Sequence, residues 1–229
     1  MTKSWYEEFY ATRGQQPAPW YSLVLAFLQS HSAVGAPFLE VGCGKGELIR
    51  ALLEAQRFEP DMITAIDQSE TALLAVKDLP VNRLVRDISQ RLPFADNAFG
   101  CVVMAEVIEH LSDPQSVLCE LHRLLRPGGT LLLTFPNYTS LPWLAVRLAA
   151  QVFKQPQWIV LQPIDHIFFF HSLRNFVQRS GFSLSEAAGS VYFPPLLYRL
   201  EPIAITTALN RLGLAWLSFH PLLVFRKGE

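Results

Sequence analysis

Charge is scarce in this chain. Only 17% of its 229 residues are Asp, Glu, Lys or Arg, against roughly a quarter in an average soluble domain. The 19 basic and 20 acidic residues leave a formal net charge of -1. No basic excess is present to neutralise a phosphate backbone, so nucleic acid is not expected as a partner. Cysteine is scarce too: Cys43, Cys101 and Cys119 stand far apart, in no CxxC or zinc-ligand spacing, which reads as reduced thiols in a cytosol. Apolar runs are broken by a charge, a proline or a glycine before they reach about eighteen residues, so no transmembrane helix is expected. The opening MTKSWYEEFYATRG carries acids and aromatics where a signal peptide would carry an apolar stretch. Neither G-x-S-x-G nor HExxH occurs, so neither signature displays a protein nucleophile or a metal-held water. Repeats and low-complexity stretches are missing as well. What remains is a chain that is 50% hydrophobic, able to bury a sizeable core as one domain and too apolar to be disordered.

Short apolar runs alternate with helical patterns. The run Phe38–Val41 leads into glycines, after which Leu48, Ala51, Leu52 and Ala55 recur at helical spacing. Met62 to Ile66, closed by Asp67, predicts a second strand, and Ala72, Leu73 and Val76 mark the following helix. Val81 to Val85 predicts a third strand. Phe99 to Ala105 is an almost unbroken apolar run, as in a strand covered on both faces. Asp113 and Pro114 open a helix whose face is Val117, Leu118, Leu121, Leu124 and Leu125. Arg126-Pro127-Gly128-Gly129 ends it, and Thr130 to Phe135 follows as a fifth strand. Such a succession of strand–helix units predicts a parallel sheet with helices on both faces. A helix over Ser172–Ser180, a strand over Phe182–Phe193, a helix through Arg211 and a strand over Leu214–Phe225 then predict an antiparallel edge. Trp20 to Leu28 reads as an amphipathic helix covering one side.

Chemistry enters between the first strand and its helix, in Glu40-Val41-Gly42-Cys43-Gly44-Lys45-Gly46. A glycine turn there lets the backbone approach a ligand closely. The dinucleotide pattern G-x-G-x-x-G is not met, because Glu47 holds the place of its final glycine and would face a pyrophosphate. The phosphate loop G-x-x-x-x-G-K-[ST] is missing too. Asp67, at the end of the second strand, is placed to accept hydrogen bonds from both ribose hydroxyls. Asp87, in Arg86-Asp87-Ile88, is a carboxylate that could accept from an adenine amino group or could cap a turn. Together these describe a nucleoside site without a phosphate site.

The segments LEVGCGKGE, AIDQSE, RDISQRLPFADNAFGCVVMAEVIEHL and LLRPGGTLLLTFPN resemble, in order and spacing, the class I S-adenosylmethionine-dependent methyltransferases, especially the branch of small-molecule and lipid-quinone enzymes. The resemblance runs from about Phe38 to Asn137, more weakly over His166 to Phe182. It implies a Rossmann-like, doubly wound α/β sheet of seven strands, mostly parallel with an antiparallel C-terminal edge and helices on both faces. It implies that Glu40 orients the loop and the methionyl amino end, that Gly42, Cys43, Gly44 and Gly46 pass beneath the cofactor, and that Asp67 holds the ribose. It places Gln68, Asp87 and Ile88 at the adenine and Ala105 or Glu106 near the methionine moiety. The cofactor would be S-adenosylmethionine, with S-adenosylhomocysteine as its product. One domain, 1–229, is then divided into N-terminal covering helices (1–35), the cofactor-binding core (36–137), an apolar insertion or lid (138–170) and a C-terminal sheet edge (171–229) with a helical insertion at 194–212.

Two histidines are candidates for a base. His110 follows the fourth strand; its other reading is a hydrogen bond between helix and loop. His166 follows the insertion and either contacts substrate or orders the lid; His171 helps cap the next helix. No third ligand joins His166 and His171, so no metal site is expected. Glu106 and Glu109 share one helical face, where the helix dipole also favours acids. In the insertion, Trp143, Leu144, Val146, Leu148, Val152, Phe153, Trp158 and Ile159 are more apolar than a polar metabolite needs. Arg147 and Lys154 could lie at a headgroup level, so residues 141–160 either touch a membrane surface or pack on their own domain or a dimer partner. The expected function is methyl transfer to a small or lipid-like acceptor at oxygen or carbon, in a monomer or homodimer, in the cytoplasm or peripherally at a membrane. The alternative is a non-catalytic cofactor-binding regulatory subunit.

Overall fold

Three runs with no polar alternation become the middle of a sheet, because a strand flanked by helices on both faces has no solvent side. In the computed structural model, which describes residues 2–12, 18–139, 141–153, 163–193 and 202–228, these are β1 (Phe38–Val41), β2 (Ile63–Asp67) and β4 (Phe99–Ala105), buried at every position. β3 (Asn82–Val85) is largely exposed and forms one edge. β5 (Leu125–Thr134), β6 (Phe182–Ser190) and β7 (His220–Lys227) complete the order β3-β2-β1-β4-β5-β7-β6. The first five strands are parallel, and β7 lies between β5 and β6, antiparallel to both. This is the Rossmann-like doubly wound sheet with an antiparallel C-terminal edge. The strand order reverses between β1 and β4, so a crevice opens at their carboxyl ends.

Period-two alternation sends neighbouring side chains to opposite layers. Val102, Met104, Leu131 and Leu133 pack with Leu118 and Leu121 of α5 (Pro114–Leu124) and Leu173 of α7 (Phe170–Arg179). Val103, Ala105, Leu132, Leu222 and Val224 pack with Val24, Phe27 and Leu28 of α2 (Pro19–Ser30) and Leu48 and Leu52 of α3 (Glu47–Glu54). A short α4 (Glu70–Leu74) follows β2, and α1 (Thr2–Thr12) packs against it.

Several boundaries differ from the sequence pattern. Arg126-Pro127-Gly128-Gly129 does not precede β5 but lies within it: Leu125 already pairs with Phe99, and the register resumes at Thr130 opposite Cys101. Residues 86–98 cross from β3 to β4 without a helix. β6 stops at Ser190, and Ala215–Leu217 is a 3-10 turn before β7 rather than its first residues. α7 starts two residues early, and its cap is Ser172, whose Oγ meets the Phe169 amide at 3.3 Å and carbonyl at 2.8 Å, rather than His171.

The insertion also differs. α6 (Leu141–Phe153) turns Trp143 inward, stacked 3.8 Å from Phe219. Arg147 is not at a headgroup level; it is 3% exposed and donates to Asp165 Oδ2 (2.6 Å), the Asp165 carbonyl (3.0 Å) and the Tyr138 hydroxyl (3.2 Å). A guanidinium is buried at tolerable cost only when paired in this way. Leu148 and Val152 face outward. Lys154, Trp158 and Ile159 lie outside the described residues, as do 194–201 of the expected C-terminal helical insertion, whose remainder contains α8 (Ile203–Arg211).

Asn137 joins three segments just past β5. Fully buried, it donates through Nδ2 to the Trp216 and Ser218 carbonyls, both at 2.8 Å. Its Oδ1 accepts from the Phe170 amide (3.0 Å) and the Thr139 hydroxyl (2.7 Å). Asn137→Ala strands these groups away from water and is expected to cost about 3 kcal/mol, lowering Tm by roughly 6–12 °C. Urea and thermal unfolding followed by circular dichroism check it, and a change under a degree contradicts this role.

Candidate active site

The glycine turn is built from two strands. Gly42 and Cys43 amides both donate to the Ile66 carbonyl, at 2.8 and 3.0 Å, which bends the chain off β1 and over the end of β2. Gly42 has a φ of +70°, and a β-carbon there would sit 2.4 Å from Val107 Cγ2, so only glycine fits. Gly46, also left-handed, opens α3 with Glu47 as its first residue. The Gly44 amide points at Asp67 and donates to its Oδ2 at 2.9 Å, while Oδ1 accepts from the Ser69 amide at 2.9 Å. Each oxygen keeps a lone pair for a further donor.

Asp67 is 4% exposed. Burial raises its carboxyl to about 6, against the Ser69, Gly44 and Gln68 amides, which favour the charged form. Glu40, 1% exposed, has no hydrogen-bond partner on either oxygen among the described residues. Burial, with Glu47 and Asp67 nearby, pushes its carboxyl well above the usual range. Beyond Asp67, Gln68, Val85, Arg86, Asp87 and Gln90 line a cavity of about 280 Å³ together with Lys3. Asp87 is exposed at its rim and accepts from the Ser89 amide at 2.9 Å, so the turn-capping geometry is present beside the cavity. Ile88 is half-buried next to it.

α1 covers this crevice, a role that no motif announces. Glu7 accepts from the Glu70 and Thr71 amides (2.8 and 3.0 Å) and the Ser69 hydroxyl (3.0 Å), so it caps α4 from outside. Its small burial opposes ionisation, but these donors hold its carboxyl down at about 2. Tyr10 sets its ring over Gly44, and Tyr6 lies within the field of Glu109, Asp67 and Asp165; burial first, then these acids, raises its phenol.

At the carboxyl end of β4, Ala105 is buried and Glu106 is left-handed at φ +54°. The two acids do not share a helical face as expected, because only Ile108–His110 form a 3-10 turn. Glu106 Oε2 instead lies 3.1 Å from His220 Nδ1, and its Oε1 is buried without a partner. Glu109, 1% exposed, lies 3.5 Å from His110 Nε2; burial and then Glu106 push its carboxyl well above the usual range. His110 Nδ1 donates to the Ile164 carbonyl at 2.9 Å, and burial lowers its imidazole. The backbone amide of His166 donates to the Glu109 carbonyl (2.8 Å) and its ring to that of Leu111 (3.0 Å), with the side of the residue exposed. Both predicted histidines thus tie the end of the insertion to the turn after β4 and, although His110 lies within the field of Glu106, neither ring is paired with that carboxylate. His220, which the pattern reading passed over, is. A lone histidine opening a late strand gives no signal until the sheet sets it beside β4. Among the described residues no three His, Cys, Asp or Glu side chains form a metal-holding group.

Residues 39–133 match the methyltransferase domain family. A demethylmenaquinone methyltransferase of Symbiobacterium thermophilum is 28% identical over 67% of this chain and 71% of its own. A ubiquinone biosynthesis O-methyltransferase of Chromobacterium violaceum is 27% identical over 56% and 57%. Across such curated relatives the match spans from 32% to 71% of their own length. Among solved structures, an S-adenosylmethionine-dependent methyltransferase of Archaeoglobus fulgidus superimposes with a TM-score of 0.60 at 18% identity, covering 98% of this chain and 99% of the other. The resemblance seen in the motifs therefore holds in both domain and fold.

The raised carboxyl of Asp67 sets a sign for ligand binding. Protonation removes an acceptor, so affinity for an S-adenosyl ligand is expected to hold above pH 6 and to weaken below it, by up to about tenfold per pH unit. Asp67→Asn should flatten that dependence while leaving any part due to Glu40. Calorimetric titrations from pH 5 to 8 test this; identical profiles for the two proteins count against it.

Proposed function

We propose, for a chain whose residues 39–133 match the methyltransferase domain family, that it moves a methyl group from S-adenosylmethionine to a small, lipophilic acceptor at oxygen or carbon. The supporting observation is one pair of acids. Asp67, oriented by two backbone amides, retains lone pairs for ribose hydroxyls, and Glu40 is buried with both oxygens unpartnered, as a receptor for an ammonium group would be. Gly42, Cys43, Gly44 and Gly46 form the floor, Gln68, Asp87 and Ile88 surround the adenine end, and Ala105 and Glu106 stand at the methionine end. Glu47, first residue of α3, sets a carboxylate where a pyrophosphate would lie, so a nicotinamide dinucleotide is the poorer fit.

S-adenosylmethionine, when bound, supplies a methyl already activated on a sulfonium. The chain's own task is then alignment and exclusion of water. Tyr6 and Tyr10 of α1 close the cofactor side. Trp20 and Phe219, half-buried and backed by the buried Tyr138 and Trp143, stand near the acids after β4, as rings suited to a lipophilic acceptor would. The quinone-pathway names of the relatives point the same way. We place the protein in the cytoplasm, in keeping with its free cysteines and with the lack, among the described residues, of any helix long and apolar enough to cross a membrane.

Calorimetry with S-adenosylmethionine and with NAD tests the reading: heat from NAD alone reverses it. Formation of S-adenosylhomocysteine with an acceptor separates a catalyst from a cofactor-binding regulatory subunit. Asp67→Ala removes charged hydrogen bonds worth about 1.5–3 kcal/mol each. Cofactor affinity should fall roughly ten- to a hundredfold with the thermal unfolding cooperativity intact, and parental affinity would show that the ribose is held elsewhere.

A further inference from the structure

Buried polar atoms without partners collect where β4, β5 and β7 end. Glu106 Oε1, Glu109 Oε2, Thr134 Oγ1, His220 Nδ1 and Trp20 Nε1 make no hydrogen bond among the described residues. They belong to one neighbourhood. The Glu106 amide donates to the Thr134 carbonyl at 3.1 Å, His220 Nδ1 lies 3.1 Å from Glu106 Oε2, and Trp20 sits with its ring centroid 4.5 Å from that of His220. Along β7, His220 shares the face of Leu222 and Val224, which pack under α2. Phe219 closes the other side at 4.5 Å. Such a group of unmet donors and acceptors inside an apolar wall marks a place built for a polar ligand atom.

We propose that His220 is the base that takes the proton of the acceptor hydroxyl, with Glu106 as its positioning residue; this deepens the methyltransferase reading and rests on it. The carboxylate of Glu106, 3.1 Å from Nδ1 though without hydrogen-bond geometry there, favours by its charge the tautomer with the proton on Nδ1, which leaves the lone pair on Nε2. The acceptor oxygen gives its proton to Nε2 and forms a bond to the transferred methyl carbon, whose bond to sulfur breaks with the electron pair leaving on sulfur. The imidazolium so formed is stabilised by Glu106 within an environment that excludes water. His110 is less suited, because its Nδ1 is committed to the Ile164 carbonyl and its Nε2 faces Glu109. His166 is bonded to the Leu111 carbonyl at the surface.

Four proteins decide it: the parent, His220→Ala, His220→Asn and Glu106→Gln. Nitrogen-15 NMR of the ligand-free parent should show the His220 proton on Nδ1, and that preference should weaken in Glu106→Gln. Calorimetry with S-adenosylmethionine should give affinities for both His220 variants within about threefold of the parent, which also shows them folded. With phenol, catechol and hydroquinone as probes, the parent should form S-adenosylhomocysteine with at least one. His220→Ala and His220→Asn should lose at least about a hundredfold of that rate, and imidazole in solution should restore part of it in His220→Ala. Glu106→Gln should lower kcat at least about tenfold, beyond any change in KM for S-adenosylmethionine. A proton on Nε2, a His220→Ala rate within about threefold of the parent, or a parent that binds S-adenosylmethionine but methylates none of the three phenols overturns the inference. A parent that gives no heat with S-adenosylmethionine overturns the methyltransferase reading beneath it instead.

Discussion

The carboxylate of Asp67 accepts the Gly44 amide on one oxygen and the Ser69 amide on the other, and through these two bonds the glycine turn is held against the start of α4. Much of the molecule's cofactor end follows from that arrangement. A turn with three left-handed glycines has little stiffness of its own; its shape is imposed by β2, through Asp67 and through the Ile66 carbonyl that receives Gly42 and Cys43. The Ser69 side of the same junction supplies the cap of α4, and Glu7 grips that cap from α1. The helix that closes the crevice is therefore anchored on the residue cluster that forms its floor.

Acids dominate the carboxyl edge of the sheet, and the fold leaves several of them incompletely served. Burying a carboxylate without donors costs stability, and in Glu40 and Glu109 burial accordingly pushes the carboxyl toward its neutral form. The reversal of strand order between β1 and β4 explains the location. Loops leaving those strands diverge to opposite faces, so the residues that follow Val41, Asp67 and Ala105 come together at one end of the sheet.

The insertion divides its apolar and cationic residues between inward packing and an exposed face. Its composition left open either a membrane-facing segment or one packed on its own domain or a dimer partner; Trp143 stacks on Phe219 and Arg147 is sealed by Asp165 and Tyr138, while Leu148 and Val152 face outward. Aromatic and cationic residues serve either purpose, and only the neighbours they find distinguish the two. Phe219 touches both Trp143 and His220, linking α6 to the acids after β4.

From residues alone, the alternation of apolar runs and helical periods established a parallel sheet, and glycines followed by Asp67 at strand ends pointed to a nucleoside site. These are local signals, because hydrophobic periodicity, positive φ and strand-end acids are each written within a few neighbouring positions. Asp113 and Pro114 opened α5 for the same reason. Everything that depended on distant segments meeting was hidden. Glu7 reaches α4 across more than sixty residues, Arg147 finds Asp165, Asn137 gathers α7 and the turn before β7, and His220 is set beside Glu106. A side chain's partner across the fold is fixed by sheet order and packing, which no spacing along the chain encodes, so the candidate base had to wait for the tertiary structure.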